Sequence, residues 1–282
     1  MLSLTISKTK KYDSIKHVNG RFVVLNEEIN GWKIITRGAN TYNLQNKNGT
    51  LAFPHENFAS IEFSDGFYTA IKKNGNSIVL NRNATPIINM EFKNDDFLWC
   101  DGYCIVQMLN GMYNFLSNDG KILYDEDFVK VEDFINHFAI VQRKDGLFYI
   151  LSDTGHFLTD EGFSFANFAL HPNRHQASDV NIILGNTYIA HVIRKNNKHN
   201  FINERGEFLS SDDFLSARSF FGNFSAIELE NGYWNFIDTN GKILYPNEYF
   251  EYVDNFNECN AKVKRIGEEN EIYYLYSNGS LK

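Results

Sequence analysis

The sequence predicts an all-β fold built from tandem antiparallel meanders of about 36 residues. Three observations predict it: a glycine that recurs at a fixed interval, an aromatic residue that recurs eight positions later, and the absence of any sustained helical period with caps. The marker glycines are Gly49, Gly120, Gly155, Gly206, Gly241 and Gly279, with Ala84 in the slot between the first two. Their spacings are 35, 36, 35, 51, 35 and 38, so one insertion of about 15 residues interrupts an otherwise steady period. The aromatic column reads Phe92, Phe128, Phe163, Phe214 and Tyr249, with Phe58 displaced by one, and a second aromatic often follows as Phe63, Phe134 or Phe220.

Within one unit the elements follow from local chemistry. In residues 128–158, Phe128, Val131 and Phe134 predict a short first strand. Phe138 to Gln142 predicts a second strand, Leu147 to Leu151 a third, and His156 to Leu158 the start of a fourth. Asp145-Gly146 separates the second from the third, and Asn74-Gly75, Asn110-Gly111 and Asn231-Gly232 repeat the signal. Such dipeptides favour two-residue hairpins, whose central residues need φ > 0. The next turn has the form Asp238-Thr239-Asn240-Gly241, where the last position wants glycine.

A three- to four-stranded meander cannot bury its own face, so copies must stack or close. Tyr12 to Leu25 resembles the second half of a unit and Ile272 to Leu281 a first half. Half-units at both ends predict a seven-bladed β-propeller closed by the two chain ends. The alternative is an open or superhelical β-solenoid. Residues 1–282 are expected to form a single repeat domain, with an inserted loop at about 171–186.

Composition bounds the function. The chain of 282 residues is 43% hydrophobic and 15% aromatic, with 27 Lys and Arg against 35 Asp and Glu. A net charge of −8 argues against a nucleic-acid partner, which needs clustered cations. No stretch approaches the roughly 20 apolar residues of a membrane span. The opening MLSLTISKTKKYD is too short in apolar residues for a signal peptide. Cys100, Cys104 and Cys259 form neither a disulfide framework nor a zinc pattern and are expected to pack as small residues. A reduced cytoplasmic setting is therefore expected.

The segment Tyr233-Trp234-Asn235-Phe236-Ile237-Asp238-Thr239-Asn240-Gly241-Lys242 resembles the core of a WG repeat, a bacterial β-rich repeat. The resemblance covers nearly the whole chain in degenerate form. Tyr42, Tyr113, Phe148 and His199 stand in the tryptophan column, and Asn43, Asn114, Asn200 and Asn235 replace the family's glycine. Asparagine there is expected either to hold a bend with φ > 0 or to bond neighbouring backbone. The resemblance implies a bacterial repeat protein that supports interactions.

Chemistry is sparse. No nucleophile elbow, phosphate-cradling glycine loop or H-E-x-x-H motif occurs. The break in periodicity, Leu170 to Tyr188, carries His171, Arg174, His175 and Asp179, and long loops on a rigid scaffold are where contacts concentrate. These four residues, with Trp32 beside Asn30-Gly31, are the partner-contact candidates; no catalytic residue, metal site or cofactor is expected. Trp99 is expected in the core. Acidic pairs precede the aromatic column at Asp95-Asp96, Asp125 to Asp127, Asp160-Glu161 and Asp212-Asp213. They read either as turn devices or as a negative face that steers a basic partner. The function expected is a non-catalytic scaffold for protein–protein interaction, with an adaptor or immunity-type binder of a basic partner as one specific form. The alternatives are a lectin-like or small-ligand binder that uses exposed aromatics, and an enzyme with its site at the inserted loop.

Overall fold

A computed structural model describes residues 15–18, 21–24, 28–93, 97–168, 189–220, 224–254, 260–268, 271–276, 278 and 280–282. Two compact units result, Met1–Asp127 and Phe128–Lys282. Their boundary falls directly before an aromatic-column residue, with no change in the repeat pattern. Among the described residues every element is a strand, and every ladder joins neighbours in sequence antiparallel.

In the first unit β1 (Ile15–Val18) pairs with β2 (Arg21–Val24). Three three-stranded meanders follow. They are β3 (Glu28–Ile29), β4 (Trp32–Thr36) and β5 (Tyr42–Asn46); β6 (Ser60–Ser64), β7 (Phe67–Ile71) and β8 (Ser77–Leu80); and β9 (Trp99–Cys100), β10 (Tyr103–Gln107) and β11 (Tyr113–Ser117). The second unit holds β12 (Lys130–Val131), β13 (Phe138–Gln142) and β14 (Phe148–Ser152), then β15 (Phe165–Phe168), β16 (Ile189–Ile193) and β17 (His199–Asn203). It ends in a six-stranded sheet of β18 (Ser216–Ala217), β19 (Phe224–Glu228), β20 (Trp234–Asp238), β21 (Phe250–Val253), β22 (Asn260–Arg265) and β23 (Tyr273–Tyr276).

The turns differ from expectation in kind. The two-residue hairpins with φ > 0 at both positions join first and second strands, at Asn30-Gly31, Asp65-Gly66, Asp101-Gly102 and Asn136-His137. The dipeptides assigned that role sit instead in wider loops between second and third strands. There Lys72 N–H donates to Asn76 O at 2.7 Å and Gly75 N–H to Lys72 O at 3.0 Å, a turn followed by a glycine bulge. Only the glycine has positive φ, because the preceding Asn or Asp accepts a backbone N–H two residues on, as Asp145 does from Leu147 at 2.9 Å.

The marker glycine serves two purposes. Gly241 has φ of 81°, and a Cβ there would overlap the carbonyl oxygen of Leu209 from the preceding meander. Gly120 against Ile87 and Gly206 against Leu158 repeat that approach within their own units. The expected fourth strand shrinks to one bridge, such as Leu151 with Phe157, Ile202 with Phe208 or Ile237 with Ile243.

Successive meanders are also joined by backbone. The first residue of a third strand exchanges hydrogen bonds with the aromatic that opens the next meander. His199 N–H donates to Phe214 O at 2.8 Å, and Phe214 N–H to His199 O at 2.9 Å. Tyr42 with Phe58, Ser77 with Phe92 and Phe148 with Phe163 repeat the exchange. Phe58, Phe92, Phe128, Phe163, Phe214 and Phe250 are at most 1% exposed. In the last meander the buried member is thus Phe250, not Tyr249, since the loop before it is one residue longer, as it is before Phe58. The faces interlock between meanders: Ile140 and Ile150 pack with Phe163, Ala166, Val192 and Ile202. Burial at this density is the main stabilising term. Cys104, opposite Leu116, fills the small-residue position that Ala139, Ala190, Ser225 and Ala261 fill elsewhere, as expected of a packed cysteine. Cys100 instead is exposed, and Cys259 lies outside the described residues.

Candidate functional site

The residue columns that could have formed a site are tied into the frame. Asn43, Asn114, Asn200 and Asn235 are buried, and none has positive φ. Each donates from Nδ2 to a carbonyl ten residues on: Phe53 at 2.7 Å, Tyr124 at 2.9 Å, Ser210 at 3.1 Å and Tyr245 at 2.8 Å. Each Oδ1 accepts the N–H of the next residue, at 2.8 Å for Leu44 and Phe236. Of the two expectations, backbone bonding holds and the left-handed bend does not. The side chain staples the third strand to the loop that returns to the next aromatic.

The acidic pairs complete the same staple. Asp127 Oδ1 accepts from Asn114 at 3.0 Å and Asp213 Oδ1 from Asn200 at 2.9 Å. Two cations placed just after second strands bridge acids of successive meanders. Lys72 Nζ lies 2.8 Å from Glu91 and 3.3 Å from Glu56. Arg194 Nε lies 2.8 Å from Glu161, and its Nη1 lies 2.9 Å from Asp213. The bond to Lys72 holds the Glu91 carboxyl below the usual carboxylate range, and the bond to Glu161 raises Arg194 further. These carboxylates act as turn devices with cation partners, not as a bare negative face.

His171, Arg174, His175 and Asp179 lie outside the described residues. Their flanks are described: β15 and β16 pair from Phe165 with Ile193 to Phe168 with Ala190. The intervening residues 169–188 therefore replace the two-residue tip that joins first and second strands in four other meanders. Directly after them comes a relationship the sequence did not disclose. His191 Nε2 and His199 Nδ1 are 2.9 Å apart, with ring centroids 5.1 Å apart. Their positions on β16 and β17 are diagonal, since His191 faces Phe201 and His199 faces Ile193. Burial pushes His191 down to about 4, and burial also lowers His199, against the pull of Glu228. A pair of neutral imidazoles with one N–H between them fits this setting. The only sequence signal was two histidines eight apart across a Lys-Asn-Asn-Lys turn. Among the described residues no three His, Cys, Asp or Glu side chains gather as a metal site.

Trp32, expected at the surface, is half-buried and packs against the cluster of Ile34, Leu44 and Tyr68. Trp99 packs as expected, stacked on Phe67 with centroids 4.1 Å apart. Exposed aromatics gather in the last sheet: Tyr233, Tyr249, Tyr252 and Tyr274. Tyr252 and Tyr274 flank Lys264 and Lys262 across β21, β22 and β23.

No protein-family model matches the chain, and no curated protein matches it. Solved structures that resemble it do so distantly. The computationally designed Ika8 protein has a TM-score of 0.32 and 12% identity, covering 87% of this chain and 80% of its own. BamB from Moraxella catarrhalis has 0.32 and 11%, covering 89% and 78%. The C-terminal WD40 domain of Sif2 has 0.30 and 12%, covering 81% and 73%. Similarity at this level carries no functional argument. Among the described residues no helix is long and apolar enough to cross a membrane.

Proposed function

We propose that the chain is a non-catalytic repeat scaffold that binds a protein partner through the loop inserted between β15 and β16. The observation that carries the proposal is the replacement of a two-residue tip by residues 169–188 at one place in an otherwise regular series. Among the described residues the recurring asparagines Asn43, Asn114, Asn200 and Asn235 are occupied with their own hydrogen bonds, so contact chemistry falls to the exception. Because Asp127, Glu161 and Asp213 bond asparagines or a cation internally, while Asp95-Asp96 lie outside the described residues, we place recognition on His171, Arg174, His175 and Asp179 and not on the acidic loops. A WG-type bacterial ancestry, a cytoplasmic setting and a closed seven-bladed ring belong to the same proposal. Small-angle scattering distinguishes a disc from an extended array.

The direct test replaces residues 171–186 with Asn-Gly and uses the variant in a pull-down from the native host. The expected result is unchanged folding with loss of the captured partner. Retention of that partner by the folded variant overturns the reading.

A further inference from the structure

Six Asn-Gly pairs lie wholly among the described residues, and they differ in what the asparagine side chain is doing. In five of them the glycine N–H donates to the carbonyl three residues back: Gly49 to Asn46, Gly75 to Lys72, Gly111 to Met108, Gly232 to Leu229 and Gly241 to Asp238. The backbone therefore does not separate these five. In the loops between second and third strands, the side-chain oxygens of Asn74, Asn110 and Asn231 accept the N–H two residues on, at 3.0, 2.8 and 3.0 Å. At the tip before β4, Asn30 donates to Asn83 at 2.7 Å. Asn48 and Asn240 are placed differently. Each is the third residue of the turn after a third strand, where the first residue already supplies the accepting oxygen. Asp238 Oδ1 takes the N–H of Asn240 and of Lys242, both at 2.9 Å, and Asn46 Oδ1 takes those of Asn48 and Thr50. The amides of Asn48 and Asn240 are left exposed, with no hydrogen bond to any described residue.

We propose that Asn240 and Asn48 are sites of spontaneous deamidation, and that the change at Asn240 loosens the joint between two meanders. The Gly241 nitrogen attacks the side-chain Cγ of Asn240 as its proton leaves to water, the bond from Cγ to Nδ2 breaks, and ammonia departs. Water then opens the five-membered imide at either carbonyl, giving aspartate or isoaspartate. Water is the only co-reactant. Glycine favours the attack because it has no Cβ to crowd the nitrogen. An asparagine whose oxygen is held by an N–H two residues on must first break that bond, which holds Asn74, Asn110 and Asn231 back. The two free sites differ in consequence. Gly241 lies so close to the preceding meander that an added Cβ would overlap the Leu209 carbonyl oxygen, and Leu209 and Ile243 pack on the cluster that contains Ile237. Isoaspartate inserts one more backbone atom directly before that glycine, where there is no room to take it up. Gly49 has only the Gln45 side chain within reach, so the same insertion at residue 48 is absorbed.

The test ages the unaltered full chain in mildly alkaline buffer at physiological temperature. Isoaspartate is located by peptide mapping with electron-transfer fragmentation. Asn240 and Asn48 are expected to convert first, about fivefold or more ahead of Asn30, Asn74, Asn110 and Asn231, because each of those must give up a hydrogen bond. The melting temperature is expected to fall in step with isoaspartate at residue 240. Asn240→Gln, whose longer side chain closes the ring far more slowly, should keep its melting temperature through the same ageing. Asn48→Gln should decline with the parent. Fresh Asn240→Asp, which adds the charge without lengthening the backbone, should melt with the parent. Conversion of Asn110 or Asn231 as fast as Asn240 overturns the proposal, and so does the absence of isoaspartate at residue 240. A melting temperature that does not respond to isoaspartate at residue 240 overturns the loosened joint.

Discussion

Asn200 Nδ2 lies 2.9 Å from Asp213 Oδ1, and through that contact a buried side chain on β17 fixes the loop that delivers Phe214 to its backbone partner His199. The amide also bonds Ser210 O, while its oxygen accepts Phe201 N–H at 2.8 Å. Asn43, Asn114 and Asn235 bond a loop carbonyl ten residues on in the same way, whereas Ile78 and Tyr149 stand at that position in two other meanders.

Asn200→Ala is expected to destabilise the protein by about 2–4 kcal/mol, because it strands buried backbone groups and leaves a cavity. Asn200→Asp should be worse, since a carboxylate cannot donate to two carbonyls and would face Asp213. Urea unfolding measures both. An Asn200→Ala variant within about 0.5 kcal/mol of the parent would refute the staple.

The glycines divide into two classes. Gly241→Ala combines positive φ with overlap of the Leu209 carbonyl and should cost well over the ~1 kcal/mol of a left-handed alanine. Gly75→Ala has positive φ with open space around it and should cost only about that amount. Ala84, at φ of 58°, occupies the marker slot, so Ala84→Gly should be neutral to slightly stabilising. Thermal melts rank the three, and equal losses at Gly241 and Gly75 would contradict the close approach.

The histidine pair predicts a pH dependence with a definite sign. His191 has a folded pKa of about 4 against an ordinary 6.5, so between these values the unfolded chain binds more protons. Its contribution to stability is complete above about pH 6.5 and is lost as pH falls towards 4, amounting to roughly 3 kcal/mol. Imidazole NMR should show His191 titrating near 4. A midpoint near 6.5 in the folded protein would dismiss the neutral pair.

Thiol reactivity separates the two described cysteines. Burial pushes Cys104 up to about 12, whereas Cys100 is exposed. In a Cys259→Ser background, a disulfide reagent at pH 8 should label one thiol quickly, and Cys100→Ser should abolish the fast phase. Two fast thiols would mean that the small-residue position of Cys104 is open.

Much of the fold could be read from the sequence because its cause is local. Phe138 to Gln142 is a short apolar run bounded by turn residues, and it forms β13 over that span. The marker glycines have positive φ wherever they are described. The hairpin types were harder. Asn74-Gly75 and Asp65-Gly66 have the same chemistry, yet the first is a bulged loop and the second a two-residue tip. Strand register chose between them, and register depends on which residues face the neighbouring meander. The aromatic column was mistaken at Tyr249 for the same reason: a one-residue slip moves the side chain to the other face, and burial selected Phe250. Of the candidate contact residues, Trp32 is half-buried against the cluster of Ile34, Leu44 and Tyr68.

The sequence alone determined the period, the all-β class and the position of the one insertion, since turn chemistry and short apolar runs act over a few residues. Only the tertiary structure decided what the recurring polar columns are for. Asn200, Asp213, Arg194 and Glu161 lie far apart along the chain, and their charges and amides meet only when consecutive meanders pack. His191 meets His199 within one meander, through the register of β16 on β17, which the spacing of the two residues does not encode.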